Sequence, residues 1–117
     1  MVSSSADSCC SDAPTFSIVI PNFNRRDLLL RCLETVHRHR PTNSEVIVVD
    51  DGSTDGSCSA VERAFPGTRV ISLRHNVGFC RAANIGWQAA RAPIVELLNN
   101  DTEVTEGWAD GAIEAFD

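Results

Sequence analysis

Lysine is absent from this sequence of 117 residues, and all ten basic residues are arginines. This argues against a phosphoacceptor receiver domain, a class of similar length with an acidic pair at a strand end, because receivers need an active-site lysine. The formal net charge is -6. Non-specific nucleic-acid affinity comes from basic side chains that neutralise phosphates, so no nucleic-acid partner is expected.

Other absences narrow the class further. No apolar run approaches the roughly 20 residues of a membrane helix, and no segment resembles a secretory signal. The first predicted strand is not followed by the GxGxxG of a Rossmann dehydrogenase. The five cysteines form no CxxC pair and no zinc-spaced cluster. We therefore expect free thiols, with Cys32 and Cys80 in the core, and a cytoplasmic location, with the inner membrane face an option for the intact protein.

The order of hydrophobic patterns predicts an α/β fold. β-Branched runs predict strands, and stripes with helical spacing follow each of them. Short connections between them indicate a Rossmann-like, mostly parallel sheet with helices on both faces. Residues 1–14 read as a disordered lead-in, and residues 15–117 as one domain, which we expect to be incomplete. The predicted strands are residues 16–21, 45–50, 68–73 and 94–98, and the predicted helices lie within residues 25–39, 53–65, 79–91 and 108–116.

Several local predictions accompany this pattern. Pro21 should end the first strand, because proline cannot continue a central ladder. Asn24 or Asp27 is a candidate N-cap for the first helix. Ser53 or Asp55 is the corresponding candidate for the second. In the third helix, we expect a side of mainly small residues to pack closely on the sheet, namely Phe79, Ala82, Ala83, Gly86 and Ala90.

Acidic residues follow two of the predicted strands. Asp50 and Asp51 come directly after the second strand, and Asp101 follows the fourth. The carboxyl ends of parallel strands meet at one edge of the sheet, where ligands of open α/β sheets bind. Acids at that edge repel an anionic ligand unless a divalent cation intervenes, and oxygen ligands suit Mg²⁺ or Mn²⁺. A second anion-binding element is the glycine turn at Gly78, with Arg81 in the helix that follows.

Four segments, in this order and spacing, resemble the motifs of family 2 glycosyltransferases with the GT-A fold. They are FSIVIPNFN (16–24), EVIVVDDGSTD (45–55), NVGFCRAANIG (76–86) and LLNNDTE (97–103). The resemblance implies that the last segment stands in place of the DXD motif, with Asp101 as the metal ligand. It also implies a nucleotide-binding set made of Pro21, Asn22, Asn24, Asp50, Asp51, Gly52, Arg81, Asn99 and Asn100.

The same resemblance implies an activity. A sugar would pass, with inversion and with help from Mg²⁺ or Mn²⁺, from a UDP-, GDP- or dTDP-linked donor to a hydroxyl of a saccharide or lipid-linked acceptor. The general base is expected downstream of Asp117, so the catalytic residue is unknown and the segment alone should be inactive. The alternative is a non-catalytic nucleotide-sugar-binding module. Self-association through the face that a truncated domain would expose is a further expectation.

Overall fold

A computed structural model of the chain describes residues 13–116. Most of the predicted lead-in, residues 1–12, and Asp117 therefore lie outside the described residues. The sheet has four parallel strands in the order β3-β2-β1-β4. They are β1 (Phe16–Asn22), β2 (Ser44–Asp50), β3 (Arg69–Ser72) and β4 (Ile94–Leu97). The predicted mostly parallel α/β sheet is confirmed.

The two central strands, β1 and β2, are buried along almost their whole length. Their continuous β-branched runs suit strands that are covered on both faces. The four helices that cover them are α1 (Arg26–His39), α2 (Ser57–Ala64), α3 (Phe79–Ala89) and α4 (Asp110–Phe116). Apolar side chains of α1, α2 and α4 pack on one face of the sheet, and α3 packs on the other. Helices on both faces were expected, and this is confirmed.

The close approach of α3 to the sheet depends on Gly86. A Cβ atom at this position would lie 2.3 Å from Val19 Cγ1 and 3.0 Å from Val49 Cγ2. Ala82, one turn earlier, is fully buried in the same contact. Small residues on this side of the helix were predicted, but Phe79 does not share their burial, because its side chain is 52% exposed. Cys80 is also exposed, so the prediction that it lies in the core was wrong, whereas Cys32 is buried as expected.

Pro21 does not end β1, contrary to prediction. Proline lacks a backbone N–H, but position 21 of this strand has no β4 residue opposite it that would accept one. Leu98 N–H donates to Val19 C=O, and Asp51 N–H donates to Asn22 C=O. Odd-numbered residues of β1 therefore face β4, and even-numbered ones face β2. Pro21 faces β4, whose last paired residue, Leu97, lies opposite Val19. The strand continues through Pro21 to Asn22 because these residues still pair with β2.

Neither predicted pair of N-cap candidates supplies the N-cap of its helix. The N-cap residues are Arg25 for α1 and Gly56 for α2, and neither of these two residues makes a side-chain capping bond. Asn24 instead accepts the N–H of Thr54 at its Oδ1 (2.8 Å). Asp55 accepts the N–H of Arg26 at its Oδ2 (3.0 Å), and its Oδ1 accepts the N–H of Ser57, the first residue of α2 (3.0 Å). These side chains thus join the loop after β1 to the loop after β2. Among residues 13–116, no helix is both long and apolar enough to span a bilayer.

Candidate functional site

A cleft of about 260 Å³ opens at the carboxyl ends of β1, β2 and β4. Its position is the one expected for a ligand site in an open α/β sheet. Ten residues line it: Pro21, Asn22, Phe23, Arg25, Asp51, Phe79, Ala82, Asn99, Asn100 and Asp101. The structure therefore brings together six of the predicted site residues, namely Pro21, Asn22, Asp51, Asn99, Asn100 and Asp101.

Asn22 links the ends of three strands at the base of this cleft. Its side-chain Oδ1 accepts a hydrogen bond from Asn100 Nδ2 (2.9 Å), and its own Nδ2 donates to Asp50 Oδ1 (3.1 Å). Asn22 is only 2% exposed. A buried amide with both ends bonded holds its neighbours firmly, because breaking either bond would leave a buried polar group without a partner.

Asp51 fixes the loop that precedes α3. Its carboxylate accepts hydrogen bonds from Asn76 Nδ2 (3.0 Å), Val77 N–H (2.7 Å) and Gly78 N–H (3.0 Å). An ionised carboxylate can accept roughly four hydrogen bonds. Three are used within the protein, so about one accepting direction is left for a ligand in the cleft.

Gly52 lets the backbone of residues 75–76 lie close to the turn after β2, next to the loop that Asp51 binds. Its backbone has a φ of 79°, and an added Cβ would lie 2.9 Å from both Asn76 N and His75 C. Glycine is the residue that tolerates this φ and this close approach without strain. Gly52 was predicted as a nucleotide-binding residue, and the structure places it against the 75–76 backbone, outside the cleft wall.

Three further predicted residues do not line the cleft. Asp50 is buried and accepts Ser53 N–H (2.9 Å) at its Oδ2, which closes the turn after β2. Asn24 binds the same turn through its bond with Thr54. Arg81 is exposed in the first turn of α3. Asp50 and Asn24 shape the loops of the site, and Arg81 stands outside its wall.

The loop that carries Asn99, Asn100 and Asp101 is anchored on α1. Thr35 Oγ1 accepts Val104 N–H (3.0 Å), and Cys32 Sγ lies 3.8 Å from Asn99 O as a weak donor. Burial, followed by the carboxylates of Asp101 and Glu103, raises the pKa of the Cys32 thiol to about 12. The thiol therefore stays neutral and packs as a small, weakly polar group.

A divalent cation would find one exposed carboxylate here, that of Asp101. Within residues 13–116, no three His, Cys, Asp or Glu side chains lie together as a metal-binding group. Asn99 and Asn100 line the cleft beside Asp101 and offer amide oxygens. Mg²⁺ is commonly held by one or two carboxylates, with substrate phosphates and water completing its shell. The residues present fit a cation bound in that way, together with an anionic ligand.

Four residues that line the cleft are outside the predicted set of site residues: Phe23, Arg25, Phe79 and Ala82. Phe23 and Phe79 are 44% and 52% exposed, which is high for aromatic side chains. Each lies next to a motif residue, Phe23 between Asn22 and Asn24, and Phe79 directly after Gly78. An aromatic residue next to a motif residue, at the carboxyl edge of the sheet, was the signal that could have identified these two phenylalanines.

Known proteins resemble this chain in sequence and in fold. Glycosyltransferase GlyG of Streptococcus pneumoniae serotype 4 is 32% identical over 97 residues, which are 80% of this chain and 32% of GlyG. The structure of S. aureus TarS 1–349 in complex with UDP-GlcNAc superposes with a TM-score of 0.77 at 25% identity, covering 86% of this chain and 30% of the TarS 1–349 chain.

A third relative is the mannosyltransferase PcManGT from Pyrobaculum calidifontis, solved in complex with GDP-Man and Mn²⁺. It gives a TM-score of 0.66 at 28% identity, over 76% of this chain and 28% of PcManGT. The chain thus spans about a third of the length of these proteins. The fold they share with it is the GT-A fold that the motifs predicted. Because residues 17–117 also match the sequence profile described as "Glycosyl transferase family 2", the chain belongs to that family.

Proposed function

We propose that this chain binds the nucleoside diphosphate end of a nucleotide-sugar donor. In the whole protein, this site would serve inverting transfer of the sugar to an acceptor hydroxyl. The observation that carries the proposal is the convergence of Asn22, Asp51, Asn100 and Asp101 from three strand ends on one cleft. Support comes from relatives of the same fold, one in complex with UDP-GlcNAc and one with GDP-Man and Mn²⁺.

Each side of the cleft would meet a different part of the donor. Asp51 keeps about one accepting direction, which suits an N–H group of the base. Phe23 and Phe79 offer partly exposed rings to the apolar faces of the base or the ribose. Asn99 and Asn100 would meet ribose or sugar hydroxyls. The base of the donor is uracil, guanine or thymine, and the titration below distinguishes the three.

Asp101 would hold Mg²⁺ or Mn²⁺, with phosphate oxygens of the donor and water completing the shell of the ion. Such an ion, when bound, neutralises negative charge on the diphosphate as it leaves. The contribution of the chain itself is to fix the Asp101 loop through Thr35 and Cys32 on α1. Metal dependence is part of the proposal.

Transfer also needs a general base for the acceptor hydroxyl. Asp51 and Asp101 are the two carboxylates among the described residues that line the cleft. Asp51 already accepts three hydrogen bonds, and Asp101 is assigned to the cation. We therefore expect this chain to bind the donor without transferring sugar. For the whole protein, we also propose a saccharide or lipid-linked acceptor and a cytoplasmic location.

The test is a titration of the purified chain with UDP, GDP and dTDP, with and without Mn²⁺, followed by calorimetry or amide NMR shifts. We expect weak binding of one nucleotide that Mn²⁺ strengthens. Asp101→Asn should reduce the Mn²⁺-dependent gain in affinity by about tenfold, equivalent to about 1.4 kcal/mol. Glu62→Gln removes one charge from an exposed position on α2 and is the matched control.

Two results would contradict the proposal in different ways. No binding of any of the three nucleotides at millimolar concentration would remove the donor site itself. Sugar transfer by the purified chain would show instead that the base lies within these residues. Binding without transfer in a longer form of the protein as well would favour the alternative of a non-catalytic module.

A further inference from the structure

The charge of the cleft does not match the ligand proposed for it. Asp51 and Asp101 are acidic, and a nucleoside diphosphate brings more negative charge to the same space. Arg25 is the single cationic side chain among the described residues that line the cleft. Arg81, which the family resemblance assigned to the base and diphosphate, stands outside the wall. Among the residues that line the cleft, Arg25 is therefore the one whose charge can offset this repulsion.

Two adjacent arginines stand at the start of α1, and they have different partners. Arg26 is engaged, since its backbone N–H donates to Asp55 Oδ2 (3.0 Å) and its Nη1 donates to Asp55 O (3.4 Å). The Nε atom of Arg26 also lies 3.5 Å from Asp27 Oδ1. Its bonds to Asp55 hold the loops after β1 and β2 together. The guanidinium of Arg26 therefore already has partners within the protein, and its role is structural.

Arg25 has no such role for its side chain. Its backbone is non-helical, with φ -132° and ψ 51°, and its carbonyl accepts the first helical hydrogen bond, from Leu29 N–H (2.9 Å). The side chain is exposed at the rim of the cleft. Within residues 13–116, its guanidinium makes no hydrogen bond and no ion pair. It can therefore bind a ligand without breaking a bond that the protein already has.

A guanidinium is suited to phosphate by charge and by shape. It stays protonated at all physiological pH values and presents five N–H donors in a rigid planar fork. The fork can donate two parallel hydrogen bonds to a phosphate, and such charge-assisted bonds are roughly twice as strong as neutral ones. The same charge offsets part of the repulsion that Asp51 and Asp101 exert on an anion.

We propose that Arg25 binds the phosphate groups of the donor and makes the cleft select nucleoside diphosphates over monophosphates. This assignment rests on the donor site proposed above. It adds a specificity-determining residue that lies in the loop after β1, between the motif residue Asn24 and the structural Arg26. The loop after β1 would then contribute both to the base and to the diphosphate.

The experiment measures the dissociation constants of the diphosphate, the monophosphate and the nucleoside of whichever base binds wild type best. Titrations are made in EDTA, so that the protein supplies the only cations that contact the ligand. Arg25→Ala should weaken diphosphate binding by about tenfold or more, because it removes charge-assisted bonds. Binding of the nucleoside should change by less than about twofold. Arg25→Lys should recover part of the loss, since it restores the charge but not the fork.

Arg63→Ala, an exposed arginine of α2 far from the cleft wall, is the control for lost charge and should bind like wild type. Equal thermal unfolding midpoints for all variants exclude a folding defect. The assignment is overturned if Arg25→Ala binds the diphosphate as wild type does, or if it weakens all three ligands equally. In the first of these cases the donor site itself still stands. If wild type binds no nucleotide in EDTA, the assignment of Arg25 fails. If it binds none with Mn²⁺ either, the donor site fails as well.

Discussion

Glu45 is the side chain that ties the elements together at the end of the sheet opposite the cleft. Its carboxylate accepts Ser17 Oγ–H of β1 (2.6 Å), Arg69 Nη1 of β3 (2.9 Å) and the backbone N–H of Arg91 (2.7 Å). Burial alone would raise the pKa of Glu45, but the hydrogen bonds from Ser17, Arg91 and Arg69 outweigh burial and lower it. The fold is therefore linked to the ionisation of one acid.

A pH dependence follows from the lowered pKa of Glu45. A group whose pKa is lower in the native state stabilises the fold above its ordinary pKa, here 4.5, and that contribution is lost as pH falls through the native value. Glu45→Gln should lower the free energy of unfolding at pH 7 by about 1–3 kcal/mol. It should also flatten the decline in stability below pH 4.5. Urea denaturation at several pH values measures both effects.

Glu34→Gln is the matched control for Glu45. Glu34 pairs with Arg38 on the exposed side of α1, with an Nη2–Oε2 distance of 3.1 Å. Exposed pairs of this kind contribute less than about 1 kcal/mol. Two results would contradict this prediction: an equal loss of stability in both variants, or a Glu45→Gln variant with the full acid dependence of wild type. Either would show that the hydrogen bonds of Glu45 do not cause the loss of stability at low pH.

At the scale of elements, hydrophobic patterns predicted the four strands and the helices on both faces. They also predicted which acids meet, because the carboxyl ends of parallel strands share one edge, and Asp51 and Asp101 line one cleft. The bonds of Asn24 and Asp55 were not predictable in this way. Both side chains look like local caps in sequence. Asp55 does accept the N–H of Ser57 at the start of α2, but both side chains also bind the backbone N–H of a residue about 30 positions away. Sequence spacing carries little information on such contacts between loops.

The residues that line the cleft also divide into those that the sequence predicted and those that only the tertiary structure shows. Motif positions had named six of the residues that line the cleft, because their types and spacing are specific. Phe23, Arg25 and Phe79 were missed, because an arginine or an aromatic residue in a loop has many ordinary uses. Phe79 begins the stripe that packs α3 on the sheet, and its helical position alone predicted burial. The exposure of its ring follows from its place at the end of the helix next to the cleft, which only the tertiary structure shows.

Gly86 makes the packing of α3 directly testable. In an exposed helix, Gly→Ala stabilises by about 1 kcal/mol. At Gly86, the new methyl would collide with Val19 and Val49, and overpacking typically costs about 1–3 kcal/mol. We expect Gly86→Ala to lower the free energy of unfolding, measured in urea. It should also weaken nucleotide binding, because α3 carries Phe79 and Ala82 into the cleft wall.

Gly111→Ala in α4 provides the control, since a Cβ there has no neighbour within 4 Å. This variant should be neutral or slightly more stable than wild type. A stable Gly86→Ala protein with unchanged binding would show that α3 can move away from the sheet without loss.

At the scale of the whole molecule, one face is apolar and uncovered in the part of the chain that the structure describes. β4 is an edge strand that pairs with β1 alone. Beside it, Trp87 of α3 is 60% exposed and Leu97 of β4 is 42% exposed. Open strand edges with apolar neighbours pair readily with further chains. We propose that a second copy of the chain covers this face in solution.

Sedimentation velocity over a range of concentrations tests this self-association. Wild type should show a concentration-dependent dimer, and Trp87→Glu should shift it towards monomer, because the substitution places a charge in the contact. Ala64→Glu, an exposed position at the end of α2, should leave the equilibrium unchanged. A wild-type monomer at every concentration would remove the proposal.

Pro21 has a consequence for what can enter the cleft. β1 extends three residues beyond Val19, its last residue paired with β4. Among residues 13–116, no strand lies beside the side of this overhang that faces the cleft. Residues 20 and 22 direct their backbone groups to β2, and residue 21 offers a proline ring instead of a donor. An extended peptide therefore cannot form the backbone hydrogen bonds that would add it to this overhang as a fifth strand. The wall of the cleft presents side chains to a small ligand, and its backbone is closed to β-sheet extension by other chains.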